Sequence, residues 1–137
     1  MQLDPVRVAD TRAWFEKADE DLRAAHRLID LAPPLLAAGV FHCQQAAEKA
    51  LKGLLVWHDQ PFRKTHSLEE IGEQCVQVDP TLRPLTDRAR RLTDYAWKFR
   101  YPDPSLTLSE GEAREALALA AEVCASVLGR LPDEVRP

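Results

Sequence analysis

Four polar residues, His42, Gln45, Lys49 and Lys52, recur at steps of three and four, so on a helix they share one face. An imidazole, an amide and two ammonium groups in a row are hydrogen-bond donors of the kind that meet an oxyanion. Later in the chain His66 follows Lys64-Thr65, and Arg100-Tyr101 adds a guanidinium and a phenol. A guanidinium grips phosphate in bidentate fashion, while a tyrosine ring can stack on a base or donate its hydroxyl. A cleft gathering Gln45, Lys49, Lys52, His66, Arg100 and Tyr101 would therefore bind a phosphate-bearing ligand such as a nucleotide or RNA. Glu48 and Asp103 offer the opposing account. Glu48 stands one turn before Lys52 in the favourable carboxylate-first order. With Asp103 it could neutralise these cations in an internal network that binds nothing.

The elements that must position these groups read as helices. Residues 10 to about 30 form the first, with Asp10 or Thr11 as cap and Ala18, Leu22, Ala25 and Leu28 or Ile29 facing inward. Pro33-Pro34 launches a second helix that runs to about Trp57. It carries Cys43, Ala46, Ala47, Ala50, Leu51, Leu54 and Leu55 beside the polar stripe, and His42 on it reads as partly buried. Residues 59–66 form a loop. Ser67 and Glu70 have capping-box spacing and open a short third helix through about Val76. Asp79-Pro80 opens a fourth that ends before Pro102, with Leu85, Ala89, Leu92 and Ala96 inward. After an irregular stretch from Pro102, Ser109 and Glu112 make a second capping box. The last helix buries Ala113, Ala116, Leu117, Ala120, Val123, Cys124, Val127 and Leu131, and closes at Gly129 and Pro132. No segment alternates as a strand does. The fold class is all-α, an up-and-down bundle of about five helices, four long and one short.

Composition narrows the function. A chain of 137 residues supports one core, so residues 1–137 read as one domain with its core at about 10–131. No apolar run nears the roughly 20 residues that span a bilayer. The N-terminus lacks the basic and apolar regions of a signal peptide, and Cys43, Cys75 and Cys124 sit in apolar helical patterns without paired spacing. A cytoplasmic location and reduced thiols are expected. No histidine has a ligand partner at metal-site spacing and no glycine-rich nucleotide loop occurs, so neither metal nor cofactor is expected. The net charge of −4 argues against wholesale nucleic-acid binding. A basic patch is nonetheless expected in the middle of the chain, from Lys49 to Arg100. Trp57, Trp97 and Phe99 read as core or dimer-interface anchors, and since Trp14, Trp57 and Trp97 are many large aromatics for one small core, a homodimer is expected.

Four segments in order, Phe41-His-Cys-Gln-Gln-Ala-Ala-Glu-Lys-Ala-Leu-Lys52, Lys64-Thr-His-Ser-Leu68, Leu92-Thr-Asp-Tyr95 and Arg100-Tyr-Pro-Asp103, resemble the HEPN family of small helical domains. The resemblance spans roughly residues 10 to 130. Ribonucleases of that family carry an Arg followed by a His after four to six intervening residues, doubled across a homodimer. The Arg would hold the scissile phosphate and the His would do acid–base work on the 2′-hydroxyl. No histidine here has an Arg at that distance, and Arg100 is followed by no His at all. The Lys-Thr-His and Arg-Tyr-Pro pattern resembles instead the partners of minimal nucleotidyltransferases encoded in neighbouring genes. That implies a partner subunit in a toxin–antitoxin-like pair, with nucleotide binding. The alternative it leaves open is a metal-independent ribonuclease using Arg100 and His66.

Overall fold

The computed structural model describes residues 2–137. Five α-helices form an up-and-down bundle: α1 (Pro5–Asp30), α2 (Leu36–Trp57), α3 (Leu68–Val78), α4 (Arg83–Ala89) and α5 (Glu110–Leu128). Short 3₁₀ turns add to them, and no strand occurs among the described residues. α2 is the axis of the bundle, packed against α1, α5, α3 and the 90–96 segment. Its stripe from Cys43 to Leu55 is fully buried, as its spacing requires.

α1 begins earlier than its periodicity suggests. Asp4 caps it by accepting from the Val6 amide, with Pro5 at the first position, rather than Asp10 or Thr11. Thr11 instead lies buried at 0% exposure on the inner face, which continues through Phe15, Ala18, Asp21, Ala25 and Ile29. Pro33 and Pro34 belong to the connection, and α2 starts after them at Leu36. Ser67 caps α3 and Ser109 caps α5, the latter with the reciprocal bond from Glu112 in place. The segment from Pro80 to Ala96 is not one long helix: only Arg83–Ala89 is α-helical, with 3₁₀ winding before and after it. The tighter winding at Arg90–Ala96 brings the Thr93 hydroxyl to the Leu68 amide at 3.1 Å, satisfying an orphan donor in the first turn of α3.

Two glycines let α1 and α2 approach closely. A Cβ on Gly53 would fall 2.8 Å from Phe15 Cε2, and one on Gly39 would fall 2.6 Å from Ile29 Cγ1. The three cysteines are buried and unpaired. Burial, above all, pushes each of their thiols up to about 12.

Candidate functional site

The polar face of α2 is organised by two buried carboxylates. Asp21 enters from α1, where it occupies the inner stripe between Ala18 and Ala25. One of its oxygens accepts from His42 Nδ1 at 2.8 Å and the other from Lys49 Nζ at 2.5 Å. Glu48, on α2 itself, is the second hub. Its Oε1 accepts from His66 Nδ1 at 2.8 Å and Gln44 Nε2 at 3.0 Å, and its Oε2 from Lys52 Nζ at 3.1 Å. The fully buried Gln44 also donates to the His66 carbonyl at 3.0 Å, and its own Oε1 accepts from Gln45 at 2.6 Å. The loop before α3 is thereby tied to the middle of α2. Lys52 lies 5.2 Å from the centre of the Phe62 ring, and Phe62 packs edge-to-face on Trp14.

This geometry joins Gln45, Lys52 and His66 through Gln44 and Glu48, and places Lys49 on the same stripe through Asp21. Arg100 and Tyr101 are not bonded to that group. Arg100 is exposed, Tyr101 is 77% exposed, and neither side chain has a hydrogen bond or ion pair among the described residues. Asp103 turns to the Ser105 amide and hydroxyl and leaves Arg100 alone. The internal network weighed against ligand binding thus forms at Glu48 but not at Asp103. Of the central cations, Arg63, Arg83, Arg88, Arg90 and Arg91 pair with glutamates, whereas Lys64, Lys98 and Arg100 pair with no carboxylate among the described residues. The basic patch is accordingly reduced to a few groups near the ends of the 58–67 and 97–109 connections. Trp97 is 60% exposed, so it is no core anchor, while Trp14 and Trp57 are half-buried.

Sequence reasoning missed Asp21. The signal was its place three residues after Ala18 and four before Ala25, on the apolar face, where an unpaired carboxylate would be costly. His42, read as a satisfied residue, is half-buried with a buried partner. No group of three or more His, Cys, Asp or Glu residues that could hold a metal occurs among the described residues. Among the described residues, no helix is long and apolar enough to cross a membrane.

The family model for the HEPN domain matches residues 11–131, nearly the whole chain and all of the polar face. The chain belongs to the HEPN family. Among solved structures, this HEPN chain is similar to the TT1696 protein from Thermus thermophilus, with 31% identity and a TM-score of 0.76. That likeness covers 88% of this chain and 98% of that one. No curated protein matches the chain.

Glu48 gives this HEPN domain a measurable acid dependence. Burial raises its carboxyl, but the hydrogen bonds from Gln44, His66 and Lys52, with the Lys52 charge, outweigh that and hold it below the ordinary 4.5. A depressed carboxylate stabilises the fold fully above its unfolded value and loses that contribution as pH falls through the folded one. Urea titrations should therefore show a wild-type stability that declines below about pH 4.5. Asp79, with its Thr81 and Arg130 contacts, adds to that acid limb. The gap between wild type and Glu48→Gln should narrow as pH drops from 5 toward 3, and a constant gap would contradict this assignment.

Proposed function

We propose that this HEPN protein is the partner subunit of a minimal nucleotidyltransferase, paired with it in a toxin–antitoxin-like two-component system. In this reading it works in the cytoplasm as a homodimer and binds a nucleotide over Gln45, Lys49, Lys52, His66, Arg100 and Tyr101. The observation that carries the reading is the combination of a HEPN domain with four histidines, none of which follows an arginine at ribonuclease spacing. His66, the residue that could replace the missing base, is bonded to the buried Glu48, and no hydrogen bond or ion pair joins it to Arg100 among the described residues. Exposed Arg100 and Tyr101 remain available for a phosphate and a base.

Co-expression with the nucleotidyltransferase encoded beside it tests this. A stable co-purifying complex and no cleavage of cellular RNA is the expected result. Growth arrest on expression alone, relieved by the neighbour and abolished by both Arg100→Ala and His66→Ala, would replace this reading with the ribonuclease one. For the dimer, light scattering at micromolar concentration should return twice the 15.4 kDa chain mass. Trp97, exposed on the surface, is an anchor of the type enriched at interface hot spots. Trp97→Glu should shift the particle toward one chain, and a wild-type protein of one-chain mass would refute the dimer.

A further inference from the structure

α5 is apolar on two sides. Its inner row, Ala113, Ala116, Ala120, Val123 and Val127, is buried in the core as its spacing requires. Its outward side carries Leu117, Ala118, Ala121, Ala125 and Leu128, of which Ala118 and Ala125 are exposed and the other three half-buried. α1 runs beside this row in the opposite direction, since Asp30 meets Arg114 at one end and Arg12 meets the Glu134 carbonyl past the other. Between the two helices lies a groove of about 540 Å³, lined by Leu22 and Ala24 of α1 and by Leu117 and Ala121 of α5. The charged and titratable groups on its rim all belong to α1: Glu20, Arg23, His26 and Arg27. Three of them have a partner on their own helix. Glu20 meets Lys17 at 3.6 Å, Arg23 meets Asp19 at 3.0 Å and His26 meets Asp30 at 3.1 Å. The exposed Arg27 side chain has no hydrogen bond or ion pair among the described residues.

We propose that this groove docks an amphipathic helix of the partner protein, apolar on the side that faces α1 and α5, with an Asp or Glu at its edge that meets Arg27. The proposal rests on the partner-subunit reading above and assigns that reading a surface. Size and charge choose the occupant. By the rise of a helix, Glu20 to Arg27 is a length of about 10 Å, and apolar side chains at i and i+4 stand about 6 Å apart, so two of them fill it. The groove is open on its solvent side, whereas a small-molecule site encloses most of its ligand. A second copy lacks the charge. Its matching face brings the same apolar row and another unpaired Arg27, while the nearby glutamates of α5, Glu115 and Glu122, are already taken by Arg91 and Arg88. The missing carboxylate therefore comes from a different chain. Burial of the apolar row supplies affinity, and the Arg27 pair fixes the register of the docked helix.

Calorimetric titration of the full chain with the nucleotidyltransferase encoded beside it, together with hydrogen exchange of the complex, tests the surface. In the wild-type complex, amide exchange should slow over residues 20–27 and 117–128. Ala121→Glu puts a carboxylate into the groove from a helix position where glutamate is a good former, and should weaken the complex by about tenfold or more. Arg27→Glu changes an exposed side chain that holds nothing in place, so it keeps the test open if Ala121→Glu fails to fold. It should weaken the complex at low salt and do so less at high salt. Arg83→Ala, which removes an ion pair between α4 and Glu73 of α3, should bind as wild type. A wild-type complex that forms equally well with Ala121→Glu and Arg27→Glu overturns the groove and leaves the partner reading standing. No complex from any of the proteins overturns both. If Ala121→Glu, without the nucleotidyltransferase, lowers the particle from two chains to one, a second copy covers the row and the proposal is overturned.

Discussion

Glu48→Ala is expected to lower the unfolding free energy by about 3–5 kcal/mol, a large share of what a domain of this size holds. The substitution strands Lys52, only 10% exposed, without its counter-charge, and removes the acceptor used by His66 and by the fully buried Gln44. Gln44 keeps the His66 carbonyl as a partner, so the greater part of the loss comes from the ammonium. Replacing both members of the pair, Glu48→Leu with Lys52→Met, should recover most of the stability, because no charge is then left buried. Chemical denaturation of wild type, Glu48→Leu, Lys52→Met and the double variant closes a double-mutant cycle. A double variant as unstable as the single one would mean that shape, not charge, decides the site.

The second large effect sits where α1 packs on α2. Phe15→Ala should cost about 3–5 kcal/mol, since the ring is 1% exposed and fills the space that Gly53 leaves. Gly53→Ala in the wild-type background should cost about 1–3 kcal/mol, because its methyl would meet Phe15 Cε2 at 2.8 Å. In the Phe15→Ala background the sign should reverse. The added methyl then enters a vacated space, and alanine is the better helix former by about 1 kcal/mol. Thermal melts of the four combinations would show the reversal, and additive losses would contradict the direct contact.

The bundle was legible where a pattern had only one physical solution. The apolar stripe of α2, the serine caps of α3 and α5 and the loop at 59–66 all lie where spacing and turn chemistry put them. From Pro80 to just before Pro102 the helical intervals of Leu85, Ala89, Leu92 and Ala96 point to one helix. Those intervals do not distinguish an α-helix from mixed α and 3₁₀ winding when a side chain such as Thr93 is bonded to another element. Asp10-Thr11 is an equally good cap on composition and points to a later start of α1, and only tertiary burial of Thr11 removes it. At the polar face the donors were legible and their acceptor across the helix pair was not. Asp21 lies 28 residues from Lys49 and 21 from His42, and nothing local in either segment links them. Arg100 and Tyr101 belong to a connection whose path no periodicity describes.

The three thiols carry a consequence for how this protein can be watched. Cys43, Cys75 and Cys124 lie on α2, α3 and α5, each at 8% exposure or less and each held in its neutral, unreactive form. A thiol-specific reagent meets them only when the helix concerned opens. The rates of their labelling in native buffer therefore report three local opening energies from one unmodified chain. Because each of these helices carries a single thiol, peptide mapping of the labelled protein would show whether α3 opens alone or together with the α2 and α5 pair.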